Sequence, residues 1–152
     1  MFQYGLNESE PNNFKRLLSA ESRLCIPEKL GATGYIFYVP SNCVYLLDSC
    51  YLLFSSKAAA GNRLVCATVY DASGHIIWRI SSPSLQPANK DYEYIFLRDG
   101  AVSPVVANFI NIHLPSIPLF PGCYISMGPV VFFGHDVSSD CFFMGRLLSL
   151  NK

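Results

Sequence analysis

The stretch Arg63-Leu64-Val65-Cys66-Ala67-Thr68-Val69-Tyr70, then Asp71-Ala72-Ser73-Gly74, then His75-Ile76-Ile77-Trp78-Arg79-Ile80, reads as two strands joined by a tight turn. Both flanks are rich in β-branched and aromatic residues, which fit a pleated sheet better than a helix. Between them, Asp71 and Ser73 can hydrogen-bond the turn backbone, and Gly74 can take the positive φ that a hairpin exit needs. The segment predicts a β-hairpin.

The same grammar extends in both directions. Further strands are expected at Arg23 to Ile26, Tyr35 to Val39, Cys43 to Phe54, Tyr92 to Leu97, Val106 to Leu114, Cys123 to Ser126, Val130 to Phe133 and Cys141 to Leu148, with Asp140 starting the last. Gly, Pro, Asn, Asp and Ser clusters separate these runs, and Gly31-Ala32-Thr33-Gly34 reads as a plain loop before Tyr35. The fold expected is all-β: a two-sheet antiparallel β-sandwich, jelly-roll-like, in one domain over residues 23–152. Residues 1–22 read as an extended polar arm, with a short helical turn capped by Asn13.

Residues two apart on a strand share a face, so a sheet with one solvated side alternates apolar with polar. Here the alternation fails. Val65, Ala67 and Val69 oppose Leu64, Cys66 and Tyr70, and Tyr45, Leu47, Tyr51 and Leu53 oppose Val44, Leu46, Cys50, Leu52 and Phe54. A single sandwich buries only its inner faces, so the surplus argues for a subunit neighbour, with a wide internal core as the alternative. Composition agrees: 51% of the 152 residues are hydrophobic and 14% charged, while a typical chain has about 25% charged residues.

Several function classes lose support. The formal net charge is zero, and Lys and Arg are sparse among the aromatic strands, so neither nucleic acid nor an anionic membrane surface is an expected partner. Apolar runs are too short for a membrane helix, which needs roughly 20 residues. The start Met1-Phe2-Gln3-Tyr4 lacks a signal-peptide pattern, which suits synthesis in a reducing cytoplasm; the six cysteines then read as small core residues rather than disulfides. Cys43 and Cys50 fall on odd and even positions of one strand and are expected on opposite faces, which argues against a shared metal. His75, His113 and His135 stand apart, and Gly134-His135-Asp136 reads as a turn rather than part of a catalytic relay. No cofactor, metal or catalytic residue is expected. Trp78 shares a face with Ile76 and Ile80 on this reading, leaving core packing, a subunit contact and a sugar platform open.

The run from Tyr51 to Ile80, with its Gly61-Asn62-Arg63 step and Asp71 to Gly74 turn, continues to Ser82-Pro83 and Gln86-Pro87-Ala88 and later to Leu119-Phe120-Pro121-Gly122. This succession resembles small β-sandwich proteins of tailed-bacteriophage structural gene clusters. The resemblance spans Val39 to Gly122 and implies a decoration or cement protein. Such a protein would sit on the virion exterior at capsomer junctions, with the major capsid protein as partner and a homotrimer as the favoured assembly. Contact residues expected on this reading are Phe2, Tyr4 and Leu6 of the arm, with Tyr51, Arg63, Trp78 and Arg79 of the sandwich. A carbohydrate-binding or receptor-recognition module, as in a head fibre or tail component, is the alternative.

Overall fold

A computed structural model describes residues 23–99, 108–116 and 118–150. In chain order its strands are β1 (Arg23–Cys25), β2 (Glu28–Leu30), β3 (Gly34–Tyr38), β4 (Cys43–Ser55), β5 (Val65–Tyr70), β6 (Ile76–Ser81), β7 (Asp91–Arg98), β8 (Phe109–Leu114), β9 (Pro118–Leu119), β10 (Tyr124–Pro129) and β11 (Val137–Ser149). They form two sheets. A six-stranded sheet runs β1-β11-β4-β7-β8 with β9 beside β4, and a five-stranded sheet runs β2-β3-β10-β5-β6. The all-β, two-sheet expectation holds, and the pairing is antiparallel except that β7 and β8 run parallel, from Glu93 opposite Phe109 to Arg98 opposite Leu114. The expected arm and helical turn, residues 1–22, lie outside the described residues, as does the start of the strand expected from Val106.

The core lies between the sheets. Tyr45, Leu47, Cys50, Leu52 and Phe54 of β4, with Tyr94, Phe96, Ile110 and Ile112 beside them, face Val65, Ala67, Val69, Ile125 and Met127 of the other sheet. Burying each larger side chain is worth on the order of 1.5–3 kcal/mol. Four of the six cysteines, Cys43, Cys50, Cys66 and Cys123, are buried.

Bulges correct two sequence expectations. Leu47 pairs with Gly145 and Ser49 with Met144, so Asp48 is an extra residue that shifts the phase of β4. Cys43 and Cys50 therefore both point inward instead of to opposite faces, and Val44, Leu46, Tyr51 and Leu53 form the outward set. On β6, Tyr70 pairs with Ile76 but Val69 with Trp78, leaving Ile77 as the extra residue. Trp78 and Ile80 pack on the core, while Ile76 does not share their face and is exposed.

The hairpin is as expected. Asp71 Oδ1 accepts the amides of Ser73 and His75, both at 2.8 Å, and Gly74 has φ 87°. Val130 to Phe133 is not a strand: β10 ends at Pro129, and the chain swings out before turning at Gly134-His135. The last strand begins at Val137, three residues before Asp140.

Candidate functional site

The outer face of the five-stranded sheet carries a groove of about 470 Å³. Its shape follows from cross-strand register. Tyr38, Tyr124 and Tyr70 stand directly opposite one another on β3, β10 and β5. Tyr70 and Tyr124 stack at 4.7 Å, and Tyr38 leans on Tyr124 at 5.3 Å. Burial, together with the neighbouring Tyr70 and Tyr38 hydroxyls and Asp71, pushes the Tyr124 pKa up. Two residues further along the same strands come Ser126 and Thr68, and then Gly128 and Cys66. Small side chains beside a tyrosine row leave a depression.

Its far wall comes from the β2–β3 turn and the segment Pro129 to Phe132, with Leu30, Val130 and Phe132 exposed along the rim. Both parts are pinned. The Ser138 hydroxyl donates to Thr33 O at 2.6 Å and its amide to Ala32 O at 3.0 Å, while the Val130 amide donates to Leu64 O at 2.8 Å. A Cβ on Gly128 would lie 2.8 Å from Thr33 O, so the turn closes down here because residue 128 has no side chain.

The wall is fastened at its other end by a buried ion pair. Asp136 Oδ2 accepts Arg63 Nε at 2.9 Å and the Phe133 amide at 2.9 Å, and Oδ1 accepts Arg63 Nη2 at 3.0 Å and the Lys57 amide at 2.8 Å. The guanidinium also donates to the carbonyls of Gly61 and Ala59, and the Phe133 ring lies 4.5 Å from it. Both side chains are fully buried. Burial opposes ionisation of Asp136, but hydrogen bonds from Arg63 and the two amides outweigh it and hold the carboxyl below its ordinary range.

The outer face of the six-stranded sheet is different. Val44, Leu46, Tyr51 and Leu53 of β4 adjoin Phe142 and Leu148 of β11 and Ile95 and Leu97 of β7, giving a largely apolar surface in which Glu93 and Asp140 flank Leu53. Tyr51 stacks on Phe142 at 4.8 Å and donates to Glu93 at 2.9 Å; burial and that hydrogen bond push its hydroxyl up to about 12. Asp48 accepts from both Arg98, at 3.0 Å, and Arg146, at 3.2 Å.

The structure thus separates the sequence-expected contact residues. Tyr51 lies on the flat face. Arg79 lies on the grooved face, its Nε donating to Thr68 Oγ1 at 3.1 Å, and half-buried Trp78 points into the core beside it. Arg63 is withdrawn as a contact residue, because it has no exposed surface and its charge is spent on Asp136. Phe2, Tyr4 and Leu6 fall outside the described residues. Sequence reading missed Asp136 as Arg63's partner, 73 positions away, and the groove floor at Thr68, Ser126 and Gly128. Among the described residues no three His, Cys, Asp or Glu gather as a metal site would require, and no helix is long and apolar enough to cross a membrane.

No protein-family model matches this chain, and neither a curated protein sequence nor a solved structure is significantly similar to it.

Proposed function

We propose that this protein is a non-enzymatic assembly module: a capsid decoration or cement protein that binds the outer surface of a phage head and also contacts copies of itself. The observation that carries this reading is the flat outer face of the six-stranded sheet. Tyr51, Leu53, Ile95 and Phe142 form an apolar patch with Glu93 and Asp140 beside Leu53, and Arg98 and Arg146 at its margin are paired with Asp48. A contact centred on Tyr51, Ile95 and Phe142 removes apolar area from water and leaves Asp140 at a polar rim, the arrangement of a subunit interface.

The strand order supports reading the sandwich as a jelly roll. β1-β11-β4-β7 and β3-β10-β5-β6 have the alternation of two four-stranded sheets from interleaved Greek keys, with β2 and β8 added at edges. That architecture is shared by viral capsid and lectin domains, so it bears on fold and leaves function to the faces. The phage placement draws on the sequence resemblance, with the major capsid protein as partner, a trimer as the assembly and the virion exterior as location.

Add-back tests the proposal. Purified protein mixed with phage heads lacking their decoration layer is expected to bind stoichiometrically and raise the temperature at which the heads rupture. Leu53→Lys is expected to abolish both effects; a wild-type protein without affinity for such heads contradicts the reading.

A second reading, glycan recognition, is favoured by the opposite face, where Tyr70, at the end of a tyrosine row, meets hydroxyls and an arginine in the groove.

A further inference from the structure

Among the described residues lining the groove, Arg79 is the only charged one. Its Nε is held by Thr68 Oγ1, which lays the side chain across the sheet. Among the described residues its terminal nitrogens meet no carboxylate and no other acceptor, although each of the other arginines with described side chains, Arg63, Arg98 and Arg146, is paired with an aspartate. A guanidinium oriented by its neighbour and left without a counter-ion is arranged for an anionic ligand group.

The rest of the lining narrows the ligand further. β3, β10 and β5 are each paired on both sides, so the floor offers no free backbone amides or carbonyls for an added peptide strand. What it offers are the hydroxyls of Thr68, Ser126 and Tyr70, a shallow bed over Gly34 and Gly128, and apolar edges at Leu30, Val130 and Phe132. Hydroxyl and ring groups beside small residues match a sugar ring, which is polar at its edge and apolar on its faces. A volume of about 470 Å³ also lies within the roughly 300–1,000 Å³ span of small-ligand sites.

We propose that the groove binds an acidic saccharide, with the carboxylate or sulfate on Arg79 and the sugar ring over Ser126, Thr68 and Gly128 beside Tyr70. The inference rests on the glycan reading of this face and is independent of assembly through the other.

Calorimetric titration of the full chain tests it. The probes are oligogalacturonate and heparin-derived tetrasaccharides as carboxylate and sulfate sources, cello-tetraose as the neutral control, and tetraglutamate as the peptide control. Binding of at least one acidic saccharide is expected, weakened at least tenfold by Arg79→Gln and by added salt, with cello-tetraose weaker and insensitive to Arg79→Gln. Tyr70→Ala is expected to weaken acidic and neutral sugars alike. The proposal is overturned if neither acidic saccharide binds, if Arg79→Gln binds them as the wild type does, or if tetraglutamate binds as tightly. Leu53→Lys separates the two readings: it is expected to lose assembly and keep the saccharide.

Discussion

The two outer faces of the sandwich arise from the same kind of strand yet have opposite characters. On the six-stranded sheet large side chains stand at neighbouring register positions, Tyr51 against Phe142 and Ile95, so they pack side by side across the surface. On the five-stranded sheet the tyrosine row is followed by Ser126 and Thr68 and then by Gly128 and Cys66, so the surface drops into a groove. Asp48 is shared by two arginines beside the flat face, whereas Arg79 on the grooved one meets no carboxylate among the described residues. A sheet face thus acquires its task from the size sequence of its outward residues as much as from their polarity.

The largest way to break this contrast lies under the groove. Asp136→Asn leaves Arg63 buried without a counter-ion and is expected to cost about 3–5 kcal/mol in urea unfolding. The pH dependence follows from the same pair. Because the folded state holds the Asp136 carboxyl below its ordinary value of 3.8, its contribution is complete above that value and is lost as pH falls below it. Wild-type stability measured from pH 7 to pH 2 should fall at the acid end, and the decline should be smaller in Asp136→Asn.

A smaller effect is expected at Gly128. In Gly128→Ala the new methyl meets Thr33 O, and overpacking of this kind costs about 1–3 kcal/mol. The β2–β3 turn must lift, so saccharide binding should weaken while assembly through the flat face stays intact.

Smallest in stability, and sharpest for function, is Arg79→Gln. The residue is exposed and has no ion-pair partner among the described residues, so unfolding free energy should move by less than about 0.5 kcal/mol while acidic-saccharide affinity drops. A stability loss of several kcal/mol would instead make Arg79 a structural residue.

Much of the fold was legible because its signals are local. Asp71 and Gly74 announce their turn within four residues, and β-branched runs mark the strands on either side. What escaped was non-local or depended on phase. The bulges at Asp48 and Ile77 each shift a strand by one residue, which reverses every assignment of face beyond them, as happened for Cys50 and Ile76. Parallel pairing of β7 with β8 has no turn signature to read. Arg63 carried the features of an exposed anchor because its partner lies 73 residues away, in a turn recognised as a turn but not as a buried one. The groove could not be read at all, since its floor is assembled from strands whose adjacency appears only with the sheet order. Tyr51 and Arg79 were both named from sequence, and that they serve different faces emerged from the topology.

The central claim is that the flat face assembles and the grooved face does not. Sedimentation equilibrium of wild type, Leu53→Lys and Arg79→Gln tests it most directly. Lys at position 53 would stand opposite Glu93 and Asp140, so the variant should fold while losing the apolar contact. The wild type and Arg79→Gln are expected to sediment as the same oligomer, and Leu53→Lys as a folded monomer. A monomeric wild type, or a Leu53→Lys oligomer of unchanged size, would contradict the account.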